Sequence, residues 1–121
     1  MKIGFEAKRV FHNKTGLGNY SRDLVRIMSG HFPENDYYIY NPKKAKETLF
    51  IANEVNVFER NPLNSFYKKF TNLWRRKGVV TDLKNDEIEL FHGLSGELPK
   101  GLKHKGIKSV VTIHDLIFLR Y

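Results

Sequence analysis

The first part of the chain passes from an apolar segment to an amphipathic one. Residues 3–7 form a short, mostly apolar run, which is typical of a buried strand. Asn13 and two nearby glycines then interrupt any regular pattern and indicate a loop. Over residues 17–28, apolar side chains recur at spacings of three and four, until Pro33 stops the pattern. The pattern therefore predicts a strand, a loop and an amphipathic helix that packs on a sheet.

The remaining pattern predicts more strands separated by helices. Over residues 62–77, the apolar side chains fall within an arc of about 120° on a helical wheel, which predicts the clearest helix of the chain. A further short helix is predicted over residues 79–86. Strands are predicted over residues 37–40, over either 49–52 or 55–58, over 89–91 and over 108–113.

Strands that alternate with helices predict an α/β fold, with a Rossmann-like parallel sheet and helices on both faces. The 121 residues are enough for one domain with a buried core and too few for two. We therefore expect a single Rossmann-like domain over residues 1–121. Such a fold normally returns across the sheet after a strand, whereas the chain stops at Tyr121, so this domain is expected to be incomplete.

Composition narrows the class of protein. Hydrophobic residues make up 40% of the chain, with 9 Phe and 6 Tyr, which is too much apolar area for a wholly disordered chain. The lack of cysteine in the sequence excludes disulfides, a thiolate zinc site and a cysteine nucleophile. Apolar runs are far shorter than the roughly 20 residues of a membrane span, and Met1 leads into a strand-like segment rather than a signal peptide. We therefore expect a cytoplasmic protein.

The net charge of +8 favours an anionic partner, such as a nucleotide, a phospholipid headgroup or a nucleic acid, without choosing among them. Much of the excess lies in residues 61–78, which contain no acid. In the predicted helix these cations flank an apolar arc. That combination is typical of helices on anionic membranes, although the same arc would equally well cover the sheet. The candidate contacts with the inner face of the plasma membrane are Lys68, Lys69, Trp74, Arg75, Arg76 and Lys77.

Three unusual segments follow predicted strands: the loop at Gly16-Leu17-Gly18, His92-Gly93 and His114-Asp115. In open α/β sheets, ligands bind outside the carboxyl ends of the strands, where the strand order reverses. Glycines that open a helix allow backbone N–H groups to approach a phosphate closely. These segments therefore predict one crevice in which a ligand binds.

Each segment taken alone also has an ordinary structural explanation. The glycines do not follow the G-x-G-x-x-G spacing, because Ser21 occupies the third glycine position, and they would also serve a tight turn. Either histidine can simply be hydrogen-bonded at the end of a strand. The sequence contains no H-x-x-x-H pair and no G-x-S-x-G motif, which argues against a metal site and against a serine hydrolase.

Four segments, in order, resemble the start of bacterial mannosyltransferase-like retaining glycosyltransferases, two-domain GT-B enzymes of the glycogen-synthase-like superfamily. They are residues 3–9 (IGFEAKR), 15–20 (TGLGNY), 91–99 (FHGLSGELP) and 110–121 (VVTIHDLIFLRY). The family's first strand usually carries Asp-Ala-Arg, where this chain has Glu6-Ala7-Lys8. The resemblance implies the amino-terminal, acceptor-side half of such an enzyme, without the carboxyl-terminal half that grips the nucleotide sugar.

The resemblance further implies that a sugar is transferred with retention of configuration from a nucleotide diphosphate to a glycan or lipid-linked acceptor in polysaccharide biosynthesis. The expected donor is GDP-mannose, with no cofactor and no metal. By the same carry-over, Gly16 and Gly18 bind the donor phosphates, and His114 contacts the transferred sugar as the catalytic residue. The expected acceptor-binding residues are His92, Ser95 and Asp115. The full-length enzyme is expected to be active and the 121-residue chain alone inactive.

Two other functions remain open from the sequence. The chain can be a non-enzymatic module that binds only an acceptor or a partner. It can also be a basic nucleic-acid binder, but its cations cluster in the predicted helix and in residues 100–108, with no recognisable RNA- or DNA-binding motif. We therefore expect no nucleic-acid partner.

Overall fold

The computed structural model describes residues 1–12, 16–43, 56–94 and 98–111. Its strands are β1 (Lys2–Glu6), β2 (Asp36–Tyr40), β3 (Val57–Arg60), β4 (Leu90–Gly93) and β5 (Lys108–Val111). Over these residues they form a five-stranded sheet in the order β3-β2-β1-β4-β5, and all neighbouring strands are parallel. The predicted α/β fold with a parallel sheet is therefore confirmed.

Helices flank this sheet. They are α1 (Lys8–His12), α2 (Gly16–His31), α3 (Ser65–Lys69), α4 (Thr71–Leu73) and α5 (Val79–Asn85), with a π-helical segment (Trp74–Gly78) before α5 and a 3-10 turn (Lys103–Lys105). The helices predicted over residues 17–28 and 79–86 are confirmed as α2 and α5. The sequence pattern predicts a loop where α1 forms. Buried Val10 and Phe11 explain the difference, because they hold this short helix against the sheet.

Apolar side chains are buried on both faces of the sheet, so the fold has two cores. Along β2, Tyr37 and Ile39 face one core and Tyr38 and Tyr40 face the other, because successive side chains of a strand point to opposite faces. The core beside α1 and α2 contains Ile3, Phe5, Ala7, Val10, Phe11, Val25, Tyr37, Ile39, Val57 and Leu94. The core beside the π-helical segment and α5 contains Tyr38, Tyr40, Trp74, Val79, Val80, Leu83, Ile88, Phe91, Leu102 and Ile107. Burial on both faces explains why β2 is a nearly continuous apolar run.

The prediction of one helix over residues 62–77 is wrong. Helix α3 ends before Phe70, whose φ of −109° and ψ of 69° lie outside the helical region, and α4 begins after it. In the π-helical segment, Trp74 is only 1% exposed and donates its indole N–H to Asp82 Oδ2 at 2.7 Å. The break in the helix lets Trp74 reach both an apolar environment and a partner for its N–H, while Phe66 and Phe70 stay half exposed.

The remaining strands differ from their predictions at the ends. Strand β3 overlaps the prediction at 55–58 and continues two residues beyond it, whereas the alternative at 49–52 lies outside the described residues. Strand β4 continues two residues beyond its prediction, through His92 and Gly93. Strand β5 begins where predicted and is described as far as Val111.

Candidate functional site

The strand order reverses at β1, because β2 and β3 lie on one side of it and β4 and β5 on the other. The carboxyl ends of β1 and β4 are therefore side by side, with Glu6 of β1 in register with Gly93 of β4. Open parallel sheets bind their ligands at such a reversal, outside the strand ends. The candidate site is this place, named here the β1/β4 edge (Glu6, Ala7, Gly93 and Leu94).

An acidic side chain is buried at the β1/β4 edge. Glu6 is 6% exposed, and its Oε1 accepts hydrogen bonds from Arg75 Nε at 3.1 Å and from the backbone N–H of Lys8 at 3.1 Å. The side chains of Glu6 and Arg75 are 8% and 16% exposed, so they form an ion pair that is largely shielded from water. A buried charge must be compensated. Arg75 does so here, and it thereby ties the π-helical segment to the end of β1.

A histidine lies beside the same edge. His92, one residue before Gly93, is in register with Phe5, and the two rings pack at a centroid distance of 5.5 Å. Burial lowers the pKa of His92, because loss of solvent disfavours the charged ring. The imidazole is therefore mainly neutral near pH 7. A neutral imidazole offers one donor and one acceptor, which suits a ligand that carries hydroxyl groups.

The start of α2 lies at the carboxyl edge of the sheet as well. Because β1 and β2 are parallel and α2 connects them, α2 runs from the carboxyl edge back to the amino edge. At the other end of the helix, the hydroxyl of Tyr37 in β2 donates to the carbonyl oxygen of Met28 at 3.0 Å. The first backbone N–H groups of a helix have no partner within it, so they attract an anion.

Gly16, the first residue of α2, is not required by the fold. It is exposed, and a Cβ built on it would meet no atom within 4 Å. Its φ also lies outside the left-handed region that favours glycine. Neither packing nor backbone conformation therefore demands a glycine at this position, whereas the close approach of a ligand to the backbone would. Gly18, one residue further on from Leu17, is buried.

A hydrogen-bonded cluster at the carboxyl ends of β2 and β3 was not predicted from the sequence. His12 Nε2 lies 2.9 Å from Asn41 Oδ1 and 2.9 Å from the backbone oxygen of Lys43. Because both partners are acceptors, this nitrogen carries the proton. Asn41 is fully buried and donates from Nδ2 to Glu59 Oε2 at 3.1 Å. The cluster links the carboxyl ends of β2 and β3 by hydrogen bonds. Its one signal in the sequence is an asparagine directly after an apolar strand.

A polar cleft of about 410 Å³ lies beside β3 and α5. Its lining residues are Glu59, Arg60, Asn61, Leu63, Asp82, Asn85 and Asp86. Tyr40 donates its hydroxyl to Asp86 Oδ2 at 2.7 Å, and Arg60 Nε lies 3.5 Å from the same oxygen. Burial raises the pKa of Asp82, and the negative charge of Asp86 raises it further. The hydrogen bond from Trp74 acts in the opposite direction and lowers this pKa. The cleft thus offers both donors and acceptors to a polar ligand.

The structure places some of the predicted site residues and not others. The start of α2, with Gly16, lies toward the carboxyl edge of the sheet, as expected from its position after β1. His92 was expected to follow its strand and instead lies within β4, one residue before its end. The other predicted site residues, Ser95, His114 and Asp115, lie outside the described residues.

Two of the predicted membrane contacts are wrong. Trp74 is buried in the core at 1% exposure, and Arg75 is held by Glu6, so neither side chain is available to a lipid surface. A helical wheel assigns all six candidates to one straight helix, and the break at Phe70 removes that geometry. The four candidates that remain exposed are Lys68, Lys69, Arg76 and Lys77.

No protein family, no curated protein and no solved structure matches the chain. Within the part of the chain that the structure describes, no helix is long and apolar enough to cross a membrane. In the same ranges, no three acidic or histidine side chains come together as ligands for a metal ion. A functional assignment therefore rests on the fold, on the β1/β4 edge and on the sequence segments that form it.

Proposed function

We propose that this chain is the acceptor-side half of a retaining glycosyltransferase with the two-domain GT-B fold. In that enzyme a sugar passes from a nucleotide diphosphate donor to a glycan or a lipid-linked acceptor, with GDP-mannose as the first donor to test. A second domain holds the nucleotide, so the 121-residue chain alone does not transfer sugar. The parallel sheet with its reversal at β1 supports this proposal, as do the four segments that resemble the family.

The observation that carries the proposal is the position of Gly16. It is an exposed glycine that neither packing nor backbone conformation requires. It opens the helix that follows β1, at the edge where the strand order reverses. A glycine in that place gives a diphosphate access to the first N–H groups of α2.

Sugar transfer requires stabilisation of the leaving group and positioning of the attacking hydroxyl. Negative charge grows on the diphosphate as its bond to the sugar breaks, and fixed N–H donors stabilise that charge. The first turn of α2, at Gly16 and Gly18, supplies such donors. The acceptor hydroxyl needs a neutral hydrogen-bonding partner, and the neutral imidazole of His92 beside the β1/β4 edge provides one.

Three further roles in the proposal rest on the sequence segments alone. His114 contacts the transferred sugar, and Ser95 and Asp115 face the acceptor. These assignments follow from the resemblance of residues 91–99 and 110–121 to the family.

The two ends of α2 offer a matched pair of substitutions that tests the proposal. A Cβ at either Gly16 or Gly30 meets no atom within 4 Å, so neither alanine should disturb the fold. In an enzyme that joins this chain to a nucleotide-sugar domain, Gly16→Ala should lower the rate of transfer from GDP-mannose by at least about tenfold. Gly30→Ala should leave the rate unchanged. Equal rates for both variants and the wild type would remove the basis of the proposal.

A further inference from the structure

Two phenylalanines that precede the π-helical segment are exposed. Phe66 is 51% exposed and Phe70 49%. The rings of Phe66 and Phe70 pack against each other at a centroid distance of 4.8 Å. A shallow cavity of about 400 Å³ opens beside the two rings and is lined in part by Lys69 and Arg76. Exposed apolar groups that stand together, rather than singly, mark a binding surface.

The local structure holds this apolar patch (Phe66 and Phe70) outside the core. Helix α3 has its own N-cap, because Asn64 Oδ1 accepts a hydrogen bond from the backbone N–H of Phe66 at 2.8 Å. The break at Phe70 then separates α3 from Trp74, which enters the core. The fold therefore buries the tryptophan and leaves the neighbouring apolar side chains to another partner.

Exposed cations surround the apolar patch. Lys68 and Lys69 lie on α3, and Arg76 and Lys77 on the π-helical segment. The sequence contains no acid over residues 61–81, so no carboxylate of this segment offsets their charge. The surface thus combines an apolar centre with a positive margin.

A second basic segment adjoins the first. The backbone N–H of Lys100 donates to the carbonyl oxygen of Arg76 at 2.9 Å. Lys100, Lys103 and Lys105 are all exposed. Two cationic segments that are distant in sequence therefore meet beside one apolar patch.

We infer that this surface binds an anionic lipid bilayer, with Phe66 and Phe70 inserted among the headgroups and the cations at the lipid phosphates. Apolar side chains that enter the boundary of the acyl chains, and lysines and arginines that pair with anionic headgroups, act together in such binding. The inference does not depend on the proposed transferase activity.

A nucleic acid would use the same cations but would need a different apolar surface. Bases stack on aromatic faces that are open to solvent. Phe66 and Phe70 instead pack against each other at an interplanar angle of 43°, and Tyr67 contacts Phe66 edge-on at a centroid distance of 5.5 Å. Rings that pack against one another in this way favour acyl chains over bases.

The first experiment is co-sedimentation of the 121-residue chain with vesicles. One set contains about one third phosphatidylglycerol in phosphatidylcholine, and the other is phosphatidylcholine alone. We expect binding to the anionic vesicles only. Binding should weaken between about 0.1 M and 1 M salt, as the screening length falls from about 10 Å to about 3 Å. No binding to anionic vesicles at the lower salt would overturn the inference.

Two pairs of variants distinguish binding through this surface from binding that depends only on the net charge or on exposed apolar side chains elsewhere. Lys68→Gln with Lys69→Gln should weaken binding about 25-fold, because each of the two cations contributes about fivefold. The matched control, Lys8→Gln with Lys84→Gln, loses the same charge elsewhere and should bind like the wild type. Equal loss in both pairs would mean that only the net charge matters and would overturn the inference.

The apolar pair is Phe66→Ser with Phe70→Ser, and its control is Phe32→Ser, which changes another phenylalanine, 48% exposed, outside the patch. We expect the first variant to lose binding on the order of tenfold and the control to retain it. Circular dichroism checks that each variant is folded. Wild-type binding by the folded double variant would exclude insertion of the patch.

A fluorescence measurement distinguishes insertion from contact at the surface. Trp74 is the one tryptophan of the chain and is buried, so Phe70→Trp adds a second indole at the patch. We expect a blue shift on binding and quenching by brominated lipid. Unchanged emission on bound vesicles, or binding of a single-stranded oligonucleotide with no binding of vesicles, would overturn the inference.

Discussion

The carboxylate of Glu6 accepts a hydrogen bond from Arg75 Nε at 3.1 Å, across 69 positions of sequence. Both side chains are shielded from water, at 8% and 16% exposure. Arg75→Ala should therefore lower the free energy of unfolding by about 2–3 kcal/mol, because a buried carboxylate would lose Arg75 as an ion-pair partner while keeping the N–H of Lys8. Arg76→Ala removes the exposed neighbouring guanidinium and should change it by less than about 0.5 kcal/mol. Urea denaturation compares the two variants, and equal stabilities would contradict the importance of the ion pair.

His92 leads us to expect a pH dependence of stability. Burial lowers the pKa of His92 in the folded chain, so the unfolded chain binds this proton at higher pH. The stabilising contribution is fully present above the ordinary histidine pKa of 6.5 and is lost as the pH falls through the lower, folded pKa. Between about pH 7.5 and 5.5, the wild type should lose more stability than His92→Gln. Urea denaturation at both pH values measures this, and equal losses would show that the ring is not buried as described.

Just after α5 lies a residue whose replacement by glycine we expect to stabilise the fold. Glu87 has a φ of 59°. The N–H of Glu87 donates to the carbonyl oxygen of Lys84 at 3.1 Å, and the N–H of Ile88 donates to the carbonyl oxygen of Leu83 at 2.9 Å. A helix end with these two hydrogen bonds favours glycine at the position of Glu87. Glu87→Gly should raise the free energy of unfolding by about 0.5–1 kcal/mol. Glu87→Ala, which keeps the Cβ, should not. Thermal denaturation of both variants decides whether the backbone conformation is responsible.

His114 should matter to transfer more than to folding, if the resemblance of its segment reflects a shared role. In the two-domain enzyme, His114→Ala should lower turnover by about 10² or more, as expected for the loss of one transition-state contact. Its thermal unfolding should match that of the wild type. A folded variant that keeps activity within a few-fold of the wild type would show that the assigned role is wrong.

The elements that follow local patterning could be predicted from the sequence. Strand β2 is nearly all apolar because both of its faces are buried, and α2 has one apolar face because only one side of it meets the sheet. The segment 62–77 could not be predicted in this way. A helical wheel treats Phe66, Phe70 and Trp74 as equivalent. It does not show that the fold supplies Asp82 to accept the indole N–H of Trp74 when this side chain is buried.

The candidate site was predictable only in part, for a similar reason. Glycine and histidine next to strand ends are visible in the sequence, and the parallel order brings Glu6 and Gly93 side by side. The partner of Glu6 is not visible, because only the assembled fold shows that Arg75 lies beside it. The bond between His12 and buried Asn41 likewise joins residues 29 positions apart. Pairings of this kind depend on tertiary structure rather than on any local pattern.

The most direct test of the proposed function is a titration of the isotopically labelled 121-residue chain with GDP-mannose, GDP and inorganic diphosphate, followed by amide chemical shifts. We expect weak binding of all three, with dissociation constants on the order of 1 mM, because the base and ribose contact another domain in the proposed enzyme. The amide signals of Gly16, Gly18 and Gly93 should shift with each ligand, since the diphosphate is the group that all three ligands have in common. Micromolar affinity for GDP, or shifts that leave these three amides unchanged, would contradict the assignment of this chain as the acceptor-side half.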